Sequence, residues 1–128
     1  MRQFENEPGK RLVIPQPPAA RSTLDVAWWF QARCESAGET LSARRIHYLL
    51  YLTQAHYVAE HRGQKIMPAT FLATQVGPVE PNIHQLFGGG RFVLEAHDPP
   101  RAVEEYLIEI WNRFGGKTLK QLEALVER

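Results

Sequence analysis

Five histidines, a pair of adjacent carboxylates, a triple glycine and an arginine pair are the residues here whose chemistry could act. His56 and His61 lie five positions apart, which separates them by about 140° around a helix. His47 and His56 point closer together, but no third ligand falls at a matching spacing, and the HExxH pattern is absent. The histidines therefore read as solvated or hydrogen-bonded side chains. Gly88-Gly89-Gly90 lacks the Lys and Ser or Thr that a phosphate-binding loop places at a helix start, so it reads as a turn. Glu104 and Glu105 fall on a helix surface, and no Ser/His/Asp or Cys/His set has a recognisable local signature. Arg44 and Arg45 could hold an anion such as a nucleotide, with Arg62 and Lys65 at the far end of the same segment. Both stand near the start of a helix, where the dipole disfavours cations. That placement asks for a carboxylate or phosphate beside one of them. Nothing in these residues makes a case for an enzyme, a metal or a cofactor.

The element that must position any such site is the segment from Ser42 to Gly63. Ile46, Leu49, Leu50, Thr53, Tyr57 and Val58 follow the three-and-four spacing of one helical face. A second row, Tyr48, Leu52, Ala55 and Ala59, widens that face beyond what a surface helix needs. The spacing predicts a central helix contacted on more than one side, capped by Thr40 or Ser42 and stopped at Gly63. A first helix starts at Ser22, where Ser22-Thr23-Leu24-Asp25 has the shape of a capping box. Its expected core face is Val26, Trp29, Phe30, Arg33 and Ala37, with Gly38 as the stop and Cys34 as a small buried hydrophobe.

Beyond the central helix the pattern shortens. Lys65–Pro68 and Phe71–Val76 suggest brief strands or extended loop. Gly77-Pro78-Val79-Glu80-Pro81 reads as a stiff, bent connector, because each proline restricts its own φ and its predecessor. Asn82–Phe87 suits a short helix, and Arg91–Ala96 a strand that pairs with 71–76 as a small antiparallel unit. Asp98 is the expected N-cap of an amphipathic helix from Ala102 to Phe114, with Val103, Tyr106, Leu107, Ile110, Trp111 and Phe114 on one face. Thr118-Leu119-Lys120-Gln121 opens the last helix with a second capping box, and Leu119, Leu122, Leu125 and Val126 face inward. The expected fold is mainly α: a compact helical domain around a long central helix, with a small antiparallel β element.

The totals agree with one domain. A chain of 128 residues buries roughly two-thirds of its unfolded surface. A net charge of +1 gives no steering toward nucleic acid or an anionic membrane. The single Cys34 excludes an internal disulfide framework. No apolar run approaches the ~18 residues of a membrane span, and the first residues lack the apolar stretch of a secretory signal, so the expected compartment is the cytoplasm. Residues 1–21 are rich in proline and read as a flexible arm before a domain of residues 22–128. An alternative is a docking arm, in which Leu12, Val13 and Ile14 add to a sheet edge or fill a partner's groove.

Three blocks in order carry a resemblance. Asp25-Val26-Ala27 with Trp29-Phe30 comes first, then Leu41 to Tyr57 with Leu49-Leu50-Tyr51-Leu52-Thr53-Gln54-Ala55-His56, then Ala73 to Pro81 with Gly77-Pro78-Val79 and Pro81. Together with Trp111, Gly115, Leu119 and Leu122 this resembles the Panacea domain, the SocA-like antitoxin family also described as phage-associated GepA-like proteins. Its members follow a DVA helix with a KLQKLLYYAQ helix and an AWxYGPVxP turn. Here Arg44 or Arg45 and His47 stand where that family has Lys and Gln, and Thr74 and Val76 replace its Trp and Tyr. The resemblance covers about residues 24–126. It implies a non-enzymatic helical protein that neutralises a toxin encoded beside it, by direct binding or by delivering it to a protease. On that view the partner would be met by Arg44, Arg45, Tyr48 and Tyr51 at the edge of the central helix, by the turn residues Gly77, Pro78, Val79 and Pro81, and by Leu12, Val13 and Ile14. Two rival readings are a sensor of an anionic nucleotide held by Arg44, Arg45, Lys10 and Arg11, and a phage-derived accessory protein.

Overall fold

The computed structural model describes residues 16–89 and 96–126. Five helices and one two-stranded sheet follow in order: α1 Thr23–Ser36, α2 Ala43–Glu60, β1 Leu72–Thr74, β2 Gly77–Val79, α3 Pro81–Gly89, α4 Arg101–Phe114 and α5 Leu119–Val126. The fold is mainly α with a small antiparallel β element, as the periodicity predicts.

α2 is the hub. Every residue from Ile46 to Leu50 is buried, as are Leu52, Thr53 and Gln54. Five consecutive buried positions cannot share one face of a helix, so the segment must be enclosed, and α1, α3, α4, α5 and β2 all pack on it. The Ser42 side chain accepts the Arg45 amide at the N-terminus. Gly63, at φ 89°, takes the left-handed turn after the last helical residues. The enclosure lasts only for the first two-thirds of the helix: Ala55 and Ala59, expected in the second apolar row, are exposed.

α1 departs from expectation in two ways. Ser22 caps it by accepting the Leu24 amide at 3.0 Å, but Asp25 does not complete a capping box. Its carboxylate accepts the distant His97 amide at 2.7 Å and pairs with Arg21 at 3.1 Å. The inward stripe is Val26, Phe30 and Cys34, with Ala27 and Trp29 beside it. Arg33 and Ala37 are exposed, and the Arg33 guanidinium lies over the Trp29 ring. The Trp29 indole N–H donates to Glu104 of α4 at 3.0 Å, which ties the two helices across the core.

The loop from Lys65 to Phe71 forms no strand, yet Ile66 and Met67 are wholly buried. One side chain makes this affordable. The Gln54 carboxamide oxygen accepts the Ile66 and Met67 amides, and its nitrogen donates to the Met67 carbonyl. Buried backbone that cannot pair with a sheet is thereby satisfied. The end of the proline-rich arm joins the same loop: Ala19 and Ala20 donate to the Lys65 and Ile66 carbonyls, and Ala20 is 1% exposed. Leu12, Val13 and Ile14 lie outside the described residues.

Two expected element starts and the reading of Gly77–Val79 as a connector are corrected. β1 pairs antiparallel with β2, Leu72 opposite Val79 and Thr74 opposite Gly77. The Gly77–Val79 stretch is therefore a strand rather than a connector, and the strand expected from Arg91 falls, except for Ala96, outside the described residues. Asp98 does not cap α4. Pro99 and Pro100 push their predecessors to extended backbone, so the helix begins only at Arg101, with Pro100 at the cap position and no side-chain cap. α3 begins at Pro81, where the missing N–H costs nothing. The α5 box forms as expected: Thr118 and Gln121 each accept the other's amide, at 3.2 and 2.9 Å. Val103, Leu107, Ile110 and Phe114 of α4 and Leu122 of α5 close the core.

Candidate partner-binding face

Arg44, His47, Tyr48 and Tyr51 sit at i, i+3, i+4 and i+7 of α2 and form one stripe. The β1–β2 hairpin and the start of α3 are seated along it. At one end the Arg44 guanidinium reaches the Val76 carbonyl at 3.4 Å and the Glu123 carboxylate of α5 at 2.8 Å. The carboxylate that Arg44 asks for is thus supplied by the chain itself. In the middle, Tyr48 is 2% exposed and lies directly under Gly77. A Cβ built on Gly77 would stand 2.2 Å from the Tyr48 Oη, and its φ of 102° belongs to glycine in any case. Further along, the Tyr51 ring meets Phe71 edge-on at 5.5 Å between centroids.

His47 is the residue that sequence reasoning missed at this site. It is buried, and its Nδ1 accepts the Glu80 amide at 3.1 Å. A backbone N–H can only donate, so Nδ1 carries no proton and the ring is the neutral Nε2–H tautomer. Burial, and then the neighbouring His84, lower its pKa from the ordinary 6.5. Glu80 is itself 1% exposed and turns its carboxylate onto the Ile83 amide at 2.9 Å, capping α3. The signal was present in the spacing, because position 47 falls on the stripe that Arg44, Tyr48 and Tyr51 define.

The hairpin's outer side faces away from α2. Pro78 has no N–H, so the Ala73–Pro78 pair must be the non-hydrogen-bonded one of the ladder. Its neighbours Leu72–Val79 and Thr74–Gly77 carry the bonds, and the Ala73 amide and carbonyl consequently point outward. Thr74 steadies the tip, donating to the Gly77 carbonyl at 2.7 Å and accepting the Val76 amide at 3.1 Å. Leu72 and Val76 are 52% and 51% exposed, the large apolar side chains among the described residues that stay in solvent. No charged residue occurs from Ile66 to Val79, although exposed strand edges ordinarily carry charge that prevents association. Between hairpin and helix lies an open cleft of about 450 Å³, lined by Tyr48, Tyr51, Phe71, Leu72, Pro78 and Val126.

The structure thus gathers Arg44, Tyr48, Tyr51, Gly77 and Pro78, with Val79 opposite Leu72 and Pro81 exposed just beyond. Arg45 is not among them. It points to the opposite side of α2, where it donates to the Gly115 carbonyl at the end of α4 at 2.7 Å. That side has its own cleft of about 440 Å³, with Glu39, Trp111 and Lys117 on its walls. The remaining histidines are scattered: His56 lies against Phe114, His61 stacks on Tyr57, and His97 meets Arg21. Among the described residues no group of three or more His, Cys, Asp or Glu could hold a metal ion. Nor is any described helix long and apolar enough to cross a membrane. Compared with protein-family models, curated proteins and solved structures, the chain matches none.

Proposed function

We propose that this chain is a non-enzymatic protein-binding module of the antitoxin type, which neutralises a toxin encoded beside it in the cytoplasm by direct binding or as an adaptor to a protease. The observation that carries the reading is the hairpin face. The hairpin, Leu72–Val79, carries no charged residue, it exposes Leu72 and Val76, and it is seated on α2 over Tyr48 through the Gly77-Pro78-Val79 stretch that shares in the resemblance to the Panacea family. Exposed apolar patches of this kind mark protein interaction sites. Arg44 is already paired with Glu123, which weakens the competing nucleotide-sensor reading.

The test is co-expression of the full chain with the product of the adjacent gene. Growth is scored in cells where that product is toxic, and the complex is isolated from the same cells. Wild type restores growth and co-purifies with the product, whereas the Leu72→Asp/Val76→Asp double variant does neither while keeping its melting temperature. Rescue that is indifferent to the double variant would remove the hairpin from the interface. A product that neither poisons the cell nor binds would overturn the antitoxin reading, and a melting temperature raised by nucleotides would favour the sensor by mass action.

A further inference from the structure

We infer that the His47–Glu80 contact is a proton-operated latch, in which the neutral imidazole holds the junction of β2 and α3 against α2 and the imidazolium releases it. The argument is geometric. The Glu80 amide has one acceptor in the structure, Nδ1 of His47 at 3.1 Å. A proton on Nδ1 would set two donors against each other, so the charged ring and this hydrogen bond exclude one another. Nor can the ring accommodate its charge on the other side. Nε2 is buried without an acceptor among the described residues, and the side chain beyond is His84, with ring centroids 6.3 Å apart.

Carboxylates that could stabilise the imidazolium are committed elsewhere. Glu80 serves the Ile83 amide at the start of α3. On α1, Asp25 serves Arg21 and the His97 amide; on α4, Glu104 serves Trp29; on α5, Glu123 serves Arg44. On α2 itself, Arg44 is paired with Glu123 and Arg45 is bonded to the Gly115 carbonyl. The direction of the pKa follows. Burial and His84 hold it below 6.5, so the stability His47 confers is present in full above pH 6.5. That stability is lost as the pH falls from there through the lower, folded value. The latch acts on the segment that joins the hairpin to α3, so acid should loosen the hairpin before the α4–α5 side of the core. That this would also weaken partner binding rests on the function proposed above; the latch itself does not.

Nuclear magnetic resonance on the full chain tests it without any partner. The His47 ring signals, the Glu80 amide and the Gly77 amide are followed from pH 7.5 downward, with Leu122 as the reference for global unfolding. The expected result is one shared midpoint below pH 6.5 for His47, Glu80 and Gly77, with Leu122 unmoved. One pH unit below that midpoint, protection of the Glu80 amide against exchange, corrected for intrinsic rate, should be lower than at pH 7.5, with no matching loss at Leu122. His47→Asn, whose Oδ1 can accept the amide but cannot be protonated there, should abolish this response and keep Glu80 protected. A Glu80 amide that is unmoved while His47 titrates would overturn the latch. So would simultaneous loss of Glu80 and Leu122 protection, or an unchanged acid response in His47→Asn.

Discussion

Replacing Gly77 by alanine should cost far more than the loss of one glycine ordinarily does. Two terms add. A side chain at φ 102° is strained by about 1–3 kcal/mol. The new Cβ also stands 2.2 Å from the Tyr48 Oη and 2.6 Å from Cζ, so the largely buried ring must be displaced and overpacking adds roughly 1–3 kcal/mol. The sum, about 2–6 kcal/mol, is a large share of the ~5–15 kcal/mol by which domains are stable. Gly38 supplies the control, with a φ of 78° but nothing within 4 Å of its Cβ. Gly38→Ala should therefore cost only the backbone term, about 1–2 kcal/mol. Urea unfolding of wild type and both variants measures the difference. Tyr48→Ala removes the obstacle, so Gly77→Ala/Tyr48→Ala should be more stable than the sum of the two single losses by about 1–3 kcal/mol. A Gly77→Ala variant no worse than Gly38→Ala, with additive behaviour in the double, would refute the seating of the hairpin on Tyr48.

Gln54→Leu keeps the volume of a core residue but strips the Ile66 and Met67 amides of their acceptor. It should cost about 2–4 kcal/mol in urea unfolding, with faster exchange at those two amides. Thr118→Ala should cost about 1 kcal/mol, and Thr118→Ala/Gln121→Ala less than the sum of the singles, because each residue caps the other. The Cys34 thiol is buried, and burial pushes its pKa above the ordinary 9.0. Its alkylation by iodoacetamide at pH 8 should therefore be slow in the native chain and follow the unfolding rate; rapid labelling without denaturant would contradict its place in the core.

How far residues can be read ahead of coordinates depended on what each one answers to. The helices follow from periodicity, and the α5 cap from two residues three apart, since both are local. α2 announced itself as central because two apolar rows meant two faces to cover. Asp25 and Asp98 failed for different reasons. Asp25 had a better offer from a distant amide, that of His97, which no local pattern displays. Asp98 lost its helix to the two prolines after it, which hold it in extended backbone. The Gly77-Pro78-Val79 stretch reads as a connector but forms β2, because the missing N–H of Pro78 merely assigns it to the non-bonded pair. Of the site, Arg44, Tyr48, Tyr51 and the turn were legible from spacing and resemblance. His47 was legible only as a position on the α2 stripe, because a histidine among apolar residues has no local mark of what it accepts.

The stripe on α2 holds the hairpin unevenly, and this unevenness has a consequence for binding. Along β2 and just after it, Gly77 rests on the buried Tyr48 ring and the Glu80 amide is bonded to His47. At the tip, Val76 is tethered by a long 3.4 Å contact to Arg44, whose ion pair with Glu123 leaves the two side chains 43% and 31% exposed. An ion pair that open is worth about 0–1 kcal/mol. The Gln75–Val76 turn is therefore the weakly held part of the hairpin, while β2 stays seated on α2. A partner that engages Val76 need break only the Arg44 tether to shift the turn. Arg44→Ala should consequently leave stability within about 1 kcal/mol of wild type while raising hydrogen exchange at the tip. If a partner engages the shifted turn, the same change should tighten binding by lowering the cost of that shift; if binding weakens instead, Arg44 touches the partner directly.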